Sequence, residues 1–191
     1  MAAVRLRADA ERNRLALLAA AREIFSEHGL DASLDEIARR AGVGNATLYR
    51  RFPTRQDLIA AVFADRKATQ VEMAERALRA ADPWTGFVGY VTALCELQAT
   101  NRGLGELLVS VNFDGDDRIA QLRATSQRRA QEVIKRAQHA GRLRADFQLD
   151  DLIRLMMGNA GVVRRAGDPD GWRRHLALLL EGLAARPQSE T

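Results

Sequence analysis

The chain has 191 residues, enough for one domain or two small ones, and 47% apolar content supports a true core even though only 5% of residues are aromatic. Four prolines, one cysteine and abundant Ala, Leu, Arg and Glu favour an all-helical protein with no internal disulfide and make a reducing cytoplasm its expected home. The absence of any apolar run of about eighteen residues excludes a membrane-spanning helix. The net charge of +4 is uneven, because residues 1–55 hold ten Arg against seven acids.

Residues 1–8 read as a loose basic arm, and Asp9 to His28 as a long amphipathic helix with Leu17, Leu18, Ala21, Ile24 and Phe25 on one face, closed by Gly29. Ser33 and Glu36 have the spacing of a capping box that opens a second helix, behind which Leu34, Ile37, Ala38 and Ala41 recur every three or four residues. Gly42 stands where a left-handed residue ends a helix. After the turn Val43 points inward, and Leu48, Tyr49 and Phe52 mark the buried side of a third helix. Its other side carries Asn45, Ala46, Thr47, Arg50 and Arg51. Small or polar residues at a helix start let its backbone approach the major groove, and arginines behind them reach phosphates on either side. The two short helices therefore read as a helix-turn-helix for double-stranded DNA. Phe52-Pro53 stops the third helix, and Thr54 with Asp57 caps a fourth.

Over residues 11 to 63, Phe25, Gly29, Ile37-Ala38, Ala41-Gly42-Val43, Leu48-Tyr49, Phe52-Pro53 and Leu58 form a pattern that resembles the N-terminal domain of the tetracycline-repressor (TetR) family of bacterial transcriptional regulators. The resemblance implies a DNA-binding domain over 1–55, a helical ligand-binding and dimerisation domain over 56–191, and about nine helices. It also implies that Ser33 touches a phosphate, that Asn45, Ala46 and Thr47 face base edges, and that Tyr49, Arg51 and Arg55 hold phosphates. Arg50 is the candidate base reader, through the bidentate contact that arginine makes to guanine, with a phosphate as its alternative. The chain departs from the family at Gly44, where a serine or threonine is common, and so lacks a side-chain oxygen there. Arg51 stands where a histidine or tyrosine is usual, and Arg55 replaces a more usual lysine.

From Thr54, the residues Leu58, Ile59, Val62, Phe63, Thr69, Met73 and Ala77 continue one long helix to about Ala81. Asp82-Pro83-Trp84 caps the next, with proline at its first position. After a break at Asn101-Arg102-Gly103, a short helix carries Leu104, Leu107, Leu108 and Val111. Helices then run from about Asp116 to Ala140, from Leu149 to Arg165, and from Pro169 to Ala185 with Asp168 as cap. Met73, Trp84, Phe87, Val91, Leu94, Cys95, Gln98, Leu108, Val111, Phe113, Met156 and Asn159 are candidates to enclose a small apolar or amphipathic ligand, ordinary core being the alternative. Gln98 and Asn159 need partners if buried. The last two helices are more apolar than one shielded face requires. The resemblance implies that Leu152, Leu155, Val162, Trp172, Leu176, Leu179 and Leu183 pair with their copies in a homodimer on a palindromic operator; plain core helices are the other reading.

No catalytic, metal or cofactor constellation emerges. His28, His139 and His175 stand far apart, and neither a phosphate loop nor a nucleophile elbow is present. Cys95 lies on an apolar face and reads as a buried inert thiol. What the resemblance implies is a homodimeric repressor that leaves its operator when a small molecule fills the C-terminal domain, with the long fourth helix as lever. Two alternatives stand beside it: a DNA-binding dimer without an effector, and a helical ligand-binding or scaffold protein whose DNA module has degenerated.

Overall fold

The computed structural model describes residues 2–101, 104, 111, 113, 116–165 and 170–185, with side chains from residue 8 onward. Among the described residues eight helices follow one another: α1 (Ala2–His28), α2 (Leu34–Arg40), α3 (Asn45–Arg51), α4 (Arg55–Arg79), α5 (Pro83–Thr100), α6 (Asp117–His139), α7 (Leu149–Arg164) and α8 (Gly171–Leu183). One isolated antiparallel bridge joins Leu143 to Ala184. The all-helical class expected from the sequence is the class observed. The short helix expected over 104–111 falls largely outside the described residues, as do Leu108 and the Asp168-Pro169 cap. The expected N-terminal arm is instead the first turns of α1, since Ala, Leu and Arg before residue 8 all favour helix and no Gly or Pro interrupts them.

Two compact units divide the chain, Met1–Arg66 with Gly103–Ile119, and Lys67–Arg102 with Ala120–Thr191. The division falls inside α4, whereas the sequence suggested a boundary where that helix begins. In the first unit Leu17, Leu18, Ile24 and Phe25 of α1 share a core with Ile37, Ala38, Leu48, Leu58 and Val62, all fully buried. Each such large side chain contributes roughly 1.5–3 kcal/mol over leaving it in water. Phe113 packs its ring on Phe63 at 5.0 Å in this unit.

The turn between α2 and α3 depends on Gly42, at φ +66°. Its N–H donates to the Arg39 carbonyl at 3.1 Å, and the N–H of Val43 donates to Ala38 at 3.0 Å. That pair of bonds closes the end of α2 in the Schellman pattern, for which only a residue free of a Cβ is unstrained. Ser33 occupies the N-cap position of α2, but its side chain makes no capping bond, so the expected capping box does not form there. The box forms at α4. The Asp57 carboxylate accepts the Thr54 N–H at 2.9 Å and its hydroxyl at 2.7 Å, and the Thr54 oxygen accepts the Asp57 N–H at 3.1 Å. Asp82 caps α5 as expected, accepting the Thr85 N–H at 2.8 Å, with Pro83 at the helix start.

In the second unit α5 packs on α7 and α8, which also pack on each other. Phe87, Val91, Cys95, Ile134, Leu143, Trp172 and Leu176 lie in its core. The second half of α4 and the start of α5 meet at Gly86, where a Cβ would stand 2.5 Å from the Ala77 carbonyl oxygen. Glycine is required by that close approach.

Candidate nucleic-acid interface

The third helix is short, seven residues, and only Leu48 is buried within it, with Phe52 behind it. Tyr49 is 46% exposed and therefore does not belong to the buried side on which the apolar count placed it. The helix turns by about 100° per residue, so once Leu48 and Phe52 define the inner face, Tyr49 must flank it. Asn45, Ala46, Arg50 and Arg51 are exposed, and Thr47 is half-buried. Candidate base-facing and phosphate-facing residues thus lie together on one outward surface of α3.

The helix begins with Gly44 as N-cap, its carbonyl accepting the N–H groups of Thr47 at 2.9 Å and Leu48 at 3.2 Å. Glycine offers no side-chain acceptor, and no side-chain cap bond is made. Asn45 is instead tied across the turn, its Nδ2 donating to Asp35 Oδ1 at 2.9 Å. That bond fixes the amide so that its carbonyl oxygen is left as an acceptor for a base-edge amino group, the edge that cytosine or adenine presents in the major groove.

Charge pairing separates the reading face from the rest of the first unit. Arg12 pairs with Asp9, Arg14 with Glu11, and Arg22 with Asp65, at 2.7, 3.0 and 2.9 Å. Arg40 reaches both Glu23 and Glu27, and hydrogen bonding to Glu27 first, then Glu23, raises its guanidinium above the ordinary value. Arg39 lies 3.8 Å from Glu36. Among the described residues neither Arg50 nor Arg51 has a carboxylate partner, so the two cations on α3 remain uncompensated. An unneutralised cation on a helix face is what a phosphate backbone attracts and what releases its counterions.

The other two predicted phosphate ligands differ. Ser33 is exposed, and its hydroxyl is not spent on capping, which leaves it open to a phosphate. Arg55 is half-buried and its Nη1 donates to the carbonyl of Leu30 at 3.0 Å and to that of Ala32. It braces the loop between α1 and α2, and Nε and Nη2 are the donors that a phosphate could still take.

The residues expected to enclose a ligand are divided between the two units, and Leu108 lies outside the described residues. Phe87, Val91, Leu94 and Cys95 are packed core, Trp84 stacks on Phe87, and burial pushes the Cys95 thiol up to about 12, as an inert thiol requires. Val111 and Phe113 fall in the first unit. Asn159 is fully buried and donates through Nδ2 to Gln98 Oε1 at 2.9 Å, while Gln98 Nε2 donates to the Met156 carbonyl at 3.0 Å. These bonds join α5 to α7, and Asn159 Oδ1 is left buried without a partner among the described residues. Of the expected residues, Met73 lines a groove in the second unit. That groove, of about 520 Å³, runs between α4 and the opposite face of α5, past Arg76, Gly89, Tyr90, Ala93, Glu96 and Leu97. The small residues Gly86, Gly89 and Ala93 on that face were the available sequence signal.

The residues of the expected dimer face differ in burial. Leu152, Trp172 and Leu176 are buried within the chain's own core, and Leu155, Val162, Leu179 and Leu183 are half-buried. Among the described residues, the large exposed apolar side chains of the same two helices are Ile153, Met157 and Leu178, with Met157 at 70% exposure. Among the described residues no helix is long and apolar enough to cross a membrane.

Residues 17–62 match the model of the bacterial regulatory proteins of the tetR family, and residues 82–185 match that of the C-terminal domain of transcriptional regulators like SbtR. A stretch of 105 residues is 34% identical to the HTH-type transcriptional repressor LfrR of Mycolicibacterium smegmatis, covering 54% of this chain and 51% of that protein. A stretch of 61 residues is 41% identical to the HTH-type transcriptional regulator SrpR of Pseudomonas putida, covering 31% of this chain and 29% of that one. The matches thus span about half or less of these relatives. Crystal structures of a TetR regulatory protein from Mycobacterium vanbaalenii and of a TetR transcriptional regulator from Streptomyces coelicolor each superpose with a TM-score of 0.72 at 33% identity, over 94% and 92% of this chain and 99% of theirs.

Proposed function

We propose that this chain, which belongs to the TetR family of transcriptional regulators and carries its DNA-binding helix-turn-helix, acts as a homodimeric repressor on a palindromic operator. In this reading residues 1–55 read the DNA, residues 56–191 carry dimerisation and ligand response, and the protein works in the cytoplasm. The observation that carries the DNA-contact assignment is the pair of uncompensated cations, Arg50 and Arg51, on the exposed side of α3 beside Asn45, Ala46 and Tyr49. Arg50 reads a base and Arg51, Tyr49 and Ser33 hold phosphates. The copies meet through Ile153, Met157 and Leu178, because burial withdraws Leu152, Trp172 and Leu176. A dimer is also what makes reading two half-sites one DNA turn apart possible.

A small molecule releases the operator by favouring the conformation that does not fit it; a ligand of equal affinity for both states would shift nothing. The same repressor without an effector is the second reading, and the packed state of Phe87, Val91 and Cys95 favours it as far as the interior is concerned.

The two arginines are separable by experiment. Arg51→Ala should weaken binding evenly across sequences and lower the slope of log affinity against log salt by about one. Arg50→Ala should cost about 1–3 kcal/mol on the best operator and relax the preference at one base pair in each half-site. Fluorescence anisotropy over a salt series measures both, and unchanged affinity in the pair would move the reading face elsewhere.

A further inference from the structure

We infer that the groove between α4 and α5 is a binding site for an organic anion with an apolar body, held by Arg76 and the Tyr90 hydroxyl. The groove exists because α4 and α5 touch at Ala77 and Gly86 and are lined beyond that point by residues too small to fill the gap, Gly89 and Ala93. Its volume of about 520 Å³ lies in the roughly 300–1,000 Å³ range of small-molecule sites.

Small residues alone would mean only a dent in the surface. Tyr90 gives the groove a polar anchor. The residue is 3% exposed and lines the groove, and among the described residues its hydroxyl has no hydrogen-bond partner. A tyrosine packed to this degree normally pairs its hydroxyl, and here the groove is where a partner would come from. Tyr90 lies one turn past Gly86 on α5 and Met73 one turn before Ala77 on α4, and both line the groove together with Arg76.

The rim sets the sign of the ligand. Glu96 on α5 is already engaged by Arg173 Nη2 at 3.3 Å, and Arg173 is held in turn by Asp170 at 3.1 Å and stacks on Trp172. Arg76 has no partner among the described residues. The uncompensated charge at the groove is therefore positive, and the matched head group is a carboxylate or a similar oxyanion, which accepts from guanidinium and hydroxyl together. Met73, Ala77, Ala93 and Leu97 receive the apolar body, the methionine adapting to its shape.

The site stands on its own geometry; only its regulatory meaning rests on the proposed release of DNA by a small molecule. Decanoate, decanol and decylamine share one chain and differ in head-group charge, and calorimetric titration of each into the full chain tests the assignment. Decanoate should bind best. Arg76→Gln should weaken it about tenfold or more, the ratio for a charge-assisted bond, and bring it level with decanol; Tyr90→Phe should weaken it about fivefold. Gly89→Phe fills the groove from a position whose Cβ meets nothing within 4 Å, and should abolish binding while leaving the helical circular-dichroism signal intact. No binding of decanoate, binding untouched by Gly89→Phe, or preference for decylamine would overturn the site. Binding at the groove with operator affinity unchanged would leave the site standing and overturn the effector reading instead.

Discussion

At the residue scale, what decides function here is which polar groups are already spent. Arg12, Arg14, Arg22 and Arg40 are paired with carboxylates and Arg55 with backbone carbonyls, so counting arginines in the first unit overstates its charge for DNA. Sequence inspection could find Arg50 and Arg51 but not that, among the described residues, neither has a carboxylate partner, since the pairing of Arg22 with Asp65 spans 43 positions. Gly44 yields a second prediction at this scale. Its φ is −68° and a Cβ there meets nothing within 4 Å, so Gly44→Ser fits without strain and can cap α3. Stability should rise by a few tenths of a kcal/mol, and operator affinity should rise because a hydroxyl joins the phosphate contacts. Thermal unfolding and anisotropy measure the two effects, and lower stability in the variant would contradict the conformation given to Gly44.

At the element scale, the helix starts show how a correct spacing can mislead. Ser33 and Glu36 have the better capping-box sequence, yet the box forms at Thr54 and Asp57, with Asp in place of the longer Glu. Glu36 lies beside Arg39 instead, and Ser33 is left for another partner. Opposite consequences follow for two conservative changes. Thr54→Ala should cost about 1 kcal/mol of stability in urea unfolding, the usual value of a cap. Ser33→Ala should leave stability unchanged and weaken DNA binding. A stability loss in Ser33→Ala would mean that its hydroxyl caps α2 after all.

Helix periodicity carried most of the fold, because Leu17, Leu18, Ile24 and Phe25, or Phe87, Val91 and Cys95, declare a buried face by spacing alone. It could not say what that face meets. The apolar stripe of α5 is equally suited to a packed wall or to a ligand; Phe87, Val91 and Cys95 lie in the core, and a groove opens on the side of Gly89 and Ala93. In the same way Leu152 and Met157 are both apolar residues of α7, and only the placement of α5 and α8 buries the first and exposes the second. Such choices depend on contacts dozens of residues apart, which a local pattern does not encode.

At the scale of the whole molecule, dimerisation and DNA reading are linked through valency. Two readers tied together gain from effective concentration, and a lone reader binds its half-site far more weakly. Met157→Arg places a charge on the exposed apolar patch without touching the core, and sedimentation should find a monomer that has lost operator affinity. Trp172→Ala, by contrast, empties a core position and should cost about 3–5 kcal/mol of stability. A Met157→Arg variant that remains dimeric would place the interface on another face.

The central claim is that this chain recognises a defined DNA sequence as a twofold-symmetric pair of α3 helices. The most direct test is selection of bound fragments from random and genomic DNA with the purified protein at near-physiological salt. The account predicts a short palindrome whose half-sites are about one DNA turn apart, lost when Arg50 and Arg51 are both alanine. Recovery of fragments with no shared motif, bound weakly and released by modest salt, would contradict it.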